Sequence, residues 1–321
     1  MSLSPEVSAY CWEYLSRYLL FTVPILLMNN FTLYMIAAGK ASLSLLCSVA
    51  GGVTNIVLDY LFIAVFRWGI GGAAVATGLG YSITAIVGLL VFSNRNSLLH
   101  FVRPVCRPQT LGRAVTNGCS EMATALVNGI ITLMFNWTML KYVGEDGVAA
   151  ITIISYVLAF AGSLYAGYAY GVAPMLSFYY GEQNHEKLRK LVRTSLKIIG
   201  AIAAATVLVS LAVTEPLVSI FARPGTPVYD LAVAGNRICS LALLFVGFNI
   251  FASGMFTALS NGLISAVLAF SRTFVFTLIA MLVLPVILGV TGIWLATPAA
   301  ELAAVVLSAV MLLKYRRRYC Y

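Results

Sequence analysis

Charge is what this sequence most conspicuously lacks. Asp, Glu, Lys and Arg make up 10% of its 321 residues, against 61% hydrophobic residues. A soluble domain is about a quarter charged, so the composition excludes a chain wetted on all sides. Histidine occurs twice, as His100 and His185, each in a basic connection, so no Ser/His/Asp set or metal-ligand cluster can be assembled at one depth. An enzyme is not expected. Cysteine is also sparse: Cys11, Cys47, Cys106, Cys119, Cys239 and Cys320 contain no CxxC pair and mostly fall within or beside apolar runs. They read as small hydrophobes, neither disulfides nor metal ligands. The first apolar span is flanked by Glu13 and Arg17 and has no basic segment before it, so no cleavable signal is expected.

Long apolar runs are what the chain does have. Each is about 20 residues, the length that crosses a bilayer as a helix. They lie near Tyr14 to Ile36, Ser42 to Phe66, Gly72 to Phe92, Ser120 to Leu140, Val148 to Tyr170, Thr194 to Val213, Ile238 to Phe256, Ile264 to Leu288 and Gly292 to Leu313. The runs lack the period-two alternation of barrel strands, so the chain is expected to be an all-α polytopic membrane protein of about nine helices. Its first partner is the lipid bilayer.

The basic residues orient it. Arg95, Arg103, Arg107 and Arg113 follow the third span, Lys187, Arg189, Lys190, Arg193 and Lys197 follow the fifth, and Lys314, Arg316, Arg317 and Arg318 follow the last. With alternating helices these groups share one side, which the retention of positive charge makes cytoplasmic, with the C-terminus inside a plasma or inner membrane. The net charge of +9 is therefore topological, and no nucleic-acid partner is expected.

An internal repeat organises the chain. At a fixed offset of 220 residues, Arg17 matches Arg237, Asn29 matches Asn249, Phe31 matches Phe251, Met35 matches Met255 and Gly69 matches Gly289. Gly72, Ala76 and Thr77 likewise match Gly292, Ala296 and Thr297. An even number of helices separates the copies, so they form parallel-repeat lobes, the usual source of a two-bundle transporter. The expected division is a partial first lobe of three helices (1–94), a basic linker (95–113) and a complete second lobe of six helices (114–321). The first lobe is incomplete on this reading, and its missing helices would occupy about 110 residues before Met1.

Particular residues then point to a family. Gly289, Gly292, Trp294, Thr297, Pro298 and Glu301 form a stretch that resembles the last-helix signature of multidrug and toxic compound extrusion (MATE) transporters. The segment from Gly69 to Thr77 resembles the family's sixth helix, and Gly167, Gly171 and Pro174, followed by Gly181, Glu182, Gln183 and Asn184, resemble its long eighth helix and the loop leaving it. The likeness covers essentially the whole chain, as family helices four to twelve. It implies export of bulky, often cationic organic compounds in exchange for inward-moving H⁺ or Na⁺; a monomer without other cofactors is expected. A lipid-linked-oligosaccharide flippase of related architecture and an inactive fragment are the alternatives. A flippase cleft would be expected to hold a cationic cluster for phosphate, which the sequence does not supply.

An intramembrane charge costs about 2.5–3.5 kcal/mol on insertion scales, so Asp59 is the plainest functional candidate. Asn55 precedes it by one helical turn, and Thr77 lies on the next helix at the same distance from Trp68 as Asp59. A carboxylate desolvated by apolar neighbours can exchange a proton, and the oxygens of all three residues equally suit Na⁺. The alternative is structural, with Asn55 and Thr77 bonded between helices and Asp59 paired with a cation. The resemblance places Asn55, Asp59 and Thr77 at the family's first-lobe cation site, which also uses an aspartate on a first helix that this chain lacks. The repeat maps Asn55 and Asp59 onto Val275 and Ile279, so the ion site belongs to the first lobe alone. Glu121, Glu301 and Arg272 are candidates for a second-lobe cation or gating role, although the last two fit a structural ion pair better. Pro174 is a candidate helix bend.

Overall fold

The computed structural model describes residues 5–95, 97, 99–103, 108–319 and 321; of these, the side chains of 5–7, 37, 109, 110, 113–121, 123–125 and 317 are not described. All regular structure among the described residues is helical. The chain divides into two compact units between Arg107 and Pro108, a point that falls inside the expected linker, and residues 108–113 are already helix.

The first unit contains α1 (Pro5–Leu19), α2 (Thr22–Ala37), α3 (Ala41–Asp59) and α4 (Gly69–Ser93), with a π-helical turn, Tyr60–Val65, continuing α3. The expected single span from residue 14 to 36 is replaced by two helices bent by 59° where α1 gives way to α2. Pro24 explains the break: its ring would clash with the carbonyl of Leu20 if the helix ran straight on. The chain instead tightens, with Leu20 N–H donating to Arg17 O and Phe21 N–H to Tyr18 O. Helix α4 is the unit's centre, because its glycines admit neighbours closely. A Cβ at Gly78 would collide with the Phe21 ring and one at Gly88 with the Phe31 ring. Phe31, Met35, Cys47 and Phe92 form the core there, with the rings of Phe31 and Phe92 5.4 Å apart.

The second unit contains α5 (Pro108–Tyr142), α6 (Glu145–Gly181), α7 (His185–Ala212), α8 (Thr214–Phe221), α9 (Pro227–Cys239), α10 (Leu243–Ala258), α11 (Gly262–Phe270), α12 (Thr277–Leu288) and α13 (Val290–Tyr319). A 3-10 turn, Ser240–Ala242, joins α9 to α10, and a π-helical segment, Ser271–Phe276, joins α11 to α12. Local chemistry sets the starts. Asn184, Thr226 and Asn261 each accept a hydrogen bond from a backbone N–H three residues on, and Pro227 follows its cap at the first helical position. One core cluster packs Met139, Ile154 and Trp294, and another packs Leu176, Leu188, Phe251, Phe256 and Tyr319.

Seven helices among the described residues are long and apolar enough to cross a membrane, and the bent α1–α2 pair makes an eighth. The ninth expected span, near Ser120 to Leu140, falls on α5, where many side chains lie outside the described residues. Within the spans, hydroxyls satisfy themselves without water: Thr77, Ser82, Thr152 and Ser163 each donate to a carbonyl four residues back. The outward faces are apolar, with Phe160 73% and Val286 77% exposed, as lipid-facing helices require.

The repeat is written into the backbone. Gly69 and Gly289 adopt φ of 61° and 60°, in the left-handed region where glycine is favoured. Phe31 and Met35 are as buried as Phe251 and Met255. The α1–α2 break at residues 20–21 corresponds to the 3-10 turn at 240–242, where Leu244 replaces Pro24 and the helix is not sharply bent. The π-helical segments do not correspond, because Ser271–Phe276 is equivalent to residues 51–56, not to Tyr60–Val65. Helix α6 runs through Pro174 as one helix of 37 residues.

Candidate cation site and the family it belongs to

In the first unit, α3 and α4 cross at a pair of glycines. A Cβ on Gly51 would lie 2.8 Å from Gly80 O, and one on Gly80 would lie 2.8 Å from Gly51 O. Only glycine permits this approach, and one turn away it brings Asn55 to Thr77. Asn55 Nδ2 donates to Thr77 Oγ1 at 3.3 Å, and Thr77 Oγ1 donates to Ala73 O at 2.9 Å. Beside them is a cavity of about 310 Å³, whose lining includes Asn55, Thr77, Ser48, Tyr81 and Thr84 with Met28. Hydroxyl and amide oxygens suit a hard cation or water, and Met28 supplies an apolar wall.

Asp59 ends the α-helical part of α3, where the π-helical turn begins. Its polar neighbour is Asn55, and its Oδ1 is buried with no hydrogen-bond partner. A buried carboxylate oxygen without a donor calls for a proton, a cation or a water to complete it. The structure therefore joins Asn55 to Thr77 directly and sets Asp59 one turn beyond, next to Asn55 but outside the lining of the cavity. The π-helical turn, a distortion that often accompanies function, was not legible in the residue pattern.

The second unit holds a different polar centre. Arg272 Nε donates to both oxygens of Glu301, at 2.7 and 3.0 Å. Asn249 Nδ2 donates to Glu301 Oε2 at 2.7 Å, and Ser308 Oγ donates to Asn249 Oδ1 at 2.9 Å. Asn249, Glu301 and Ser308 are buried. Arg272 lies in the π-helical segment that follows α11. Of the expected second-lobe set, the structure pairs Glu301 with Arg272, while the Glu121 side chain lies outside the described residues. Asn249 and Ser308 were missed as partners, although the repeat match of Asn29 with Asn249 was a usable signal.

Together, the internal repeat, the membrane-length helices and a polar pocket between glycine-packed helices define an all-α polytopic membrane transporter architecture. The model of the MatE family matches residues 122–283. The chain belongs to this family of transporters. It is 22% identical over 317 residues to the multidrug export protein MepA of Staphylococcus haemolyticus, covering 98% of this chain and 69% of that protein. With MepA of Staphylococcus aureus the identity is 21%, covering 88% of this chain and 62% of the relative. The chain thus spans roughly two thirds of the length of these relatives. Its fold matches the inward-facing conformation of a multidrug resistance MATE family transporter of the MOP superfamily, with a TM-score of 0.84 and 24% identity over 98% of this chain and 73% of that one. The outward-facing conformation matches with a TM-score of 0.80 and 24% identity over 96% and 69% of the two chains.

Proposed function

We propose that the chain carries out multidrug efflux, exporting bulky, often cationic organic compounds against an inward flow of H⁺ or Na⁺ by alternating access. Membership of the family supports the export reading, and the MepA relatives are named for it. The observation that carries the coupling is Asp59, a carboxylate within a membrane span whose Oδ1 is buried and unpartnered, adjacent to the Asn55–Thr77 pair. A proton on that oxygen, or a cation shared with the Asn55 and Thr77 oxygens, supplies the missing partner. In this reading, charging and discharging the site biases the first-unit helices between two states, as an ion gradient must do to drive an exchange. The Glu301 centre already has an internal cation in Arg272, so it fits a fixed structural role better than a transport one. The protein acts as a monomer in the cell membrane with its C-terminus in the cytoplasm, where its positive connections belong.

Dye extrusion from cells expressing the chain, beside Asp59→Asn, tests this reading. The wild-type chain is expected to extrude dye in the presence of a proton or sodium gradient, and Asp59→Asn to fall to the level of cells without it. Equal, robust efflux from both would remove Asp59 from the mechanism. Absence of efflux from an inserted, stable wild-type chain would refute export by this chain itself.

A further inference from the structure

The second unit has a cavity of about 300 Å³ where the N-terminal turns of α7 approach the C-terminal turns of α13. Arg189, Arg193 and Arg316 line it together with Leu196, Leu312 and Tyr321. On α7, Arg189 and Arg193 are one turn apart on the same face, and Leu196 follows them further into the span. On α13, Leu312 precedes Arg316 by one turn, so there too the apolar residue is the deeper one. Guanidinium groups therefore stand at the headgroup end of the cavity, with leucines extending from them toward the hydrocarbon.

The site is closed on one side by a buried ring. The Tyr321 hydroxyl donates to Leu312 O at 2.9 Å, and Arg316 Nε donates to the main-chain oxygen of Tyr321 at 3.3 Å. Among the described residues, none of the three arginines pairs with an Asp or Glu side chain. Three guanidiniums around one cavity, none of them paired with an Asp or Glu among the described residues and only Arg316 giving an N–H to Tyr321 O, attract an anion, and their planar forks suit phosphate. A free phosphate would leave the leucines unused, whereas a phospholipid has an acyl chain to lay along them. A zwitterionic headgroup would bring a second cation into a site that is already positive.

We propose that this cavity is a binding site for a phospholipid with an anionic headgroup. The phosphate sits among Arg189, Arg193 and Arg316, and one acyl chain runs past Leu196 and Leu312. Basic pockets between membrane helices at the headgroup level bind anionic lipids in this way. The site lies within the second unit and involves none of the residues assigned to ion coupling, so its occupancy is measured independently of transport.

Native mass spectrometry of the purified full chain in detergent, titrated with phosphatidylglycerol, phosphatidylcholine or inorganic phosphate, tests the proposal. The wild-type chain is expected to retain phosphatidylglycerol in preference to phosphatidylcholine, and inorganic phosphate at the same concentration is expected not to displace it. Arg189→Gln with Arg193→Gln should weaken retention by about thirtyfold, from two surface arginines. Neither arginine makes an ion pair within the described protein, so this variant is expected to fold, and Arg189→Lys with Arg193→Lys should recover most of the binding. Three results would each overturn the proposal: equal retention of phosphatidylcholine, unchanged phosphatidylglycerol binding in the glutamine variant, or displacement of the lipid by inorganic phosphate.

Discussion

Gly80→Ala should pull apart the two helices that hold the candidate cation site. The added Cβ would lie 2.8 Å from Gly51 O and 3.1 Å from Asn55 Cβ. Neither can swing aside, since one is backbone and the other is the first carbon of a side chain. Restoring ordinary contact requires α3 and α4 to separate by roughly 0.6 Å at the crossing. The Asn55–Thr77 bond is already 3.3 Å long, and such a movement takes it beyond hydrogen-bond reach. Overpacking costs about 1–3 kcal/mol and the lost interhelical bond about 0.6, against about 1 gained from replacing a helical glycine. The expected net loss is about 0.6–2.6 kcal/mol. Gly52→Ala is the control, because a Cβ there meets nothing within 4 Å, and it should leave stability unchanged or raise it by up to about 1 kcal/mol. Unfolding of both variants in mixed micelles measures the difference. Thr77→Val should then cost less in the Gly80→Ala background than in the wild type, because the bond it removes is already broken. Equal stability of the two alanine variants, with Thr77→Val equally costly in both backgrounds, would refute the glycine crossing as the device that positions the site.

The Glu301 centre makes a separate prediction. Glu301→Gln leaves the largely buried Arg272 without its anion and should destabilise by about 3 kcal/mol, whereas Glu301→Leu with Arg272→Met should be close to neutral in the same unfolding assay. A double variant as unstable as the single one would show that the pair is worth more than its desolvation cost. Gly289→Ala should cost about 1–3 kcal/mol from backbone strain alone, because its φ is 60° and a Cβ there meets nothing within 4 Å. Gly262→Ala, equally uncrowded and without a positive φ, should have little effect in a thermal melt of the same preparation.

Much of the architecture was legible in the residues. Length and apolarity alone define membrane helices, because a bilayer accepts no other open backbone, and the 220-residue offset announced the matched glycines that share a left-handed φ. The pairing of Arg272 with Glu301 also followed from charge, since few partners exist within an apolar span. The break after α1 was legible in principle, because Pro24 forbids a straight helix, but a uniform apolar run conceals it from a hydropathy reading.

The site shows where the sequence runs out. Composition and spacing nominated Asn55, Asp59 and Thr77, since intramembrane polar groups are few and a turn's separation puts two of them on one face. Which of the three bond together depends on how closely α3 approaches α4, and that is decided by Gly51 meeting Gly80, a contact between residues 29 apart in the chain. Likewise, the basic residues of α7 and α13 read only as topology signals in the sequence. Their convergence on one cavity comes from packing of helices more than a hundred residues apart, because helix ends are brought together by the cores beneath them and not by their own charges.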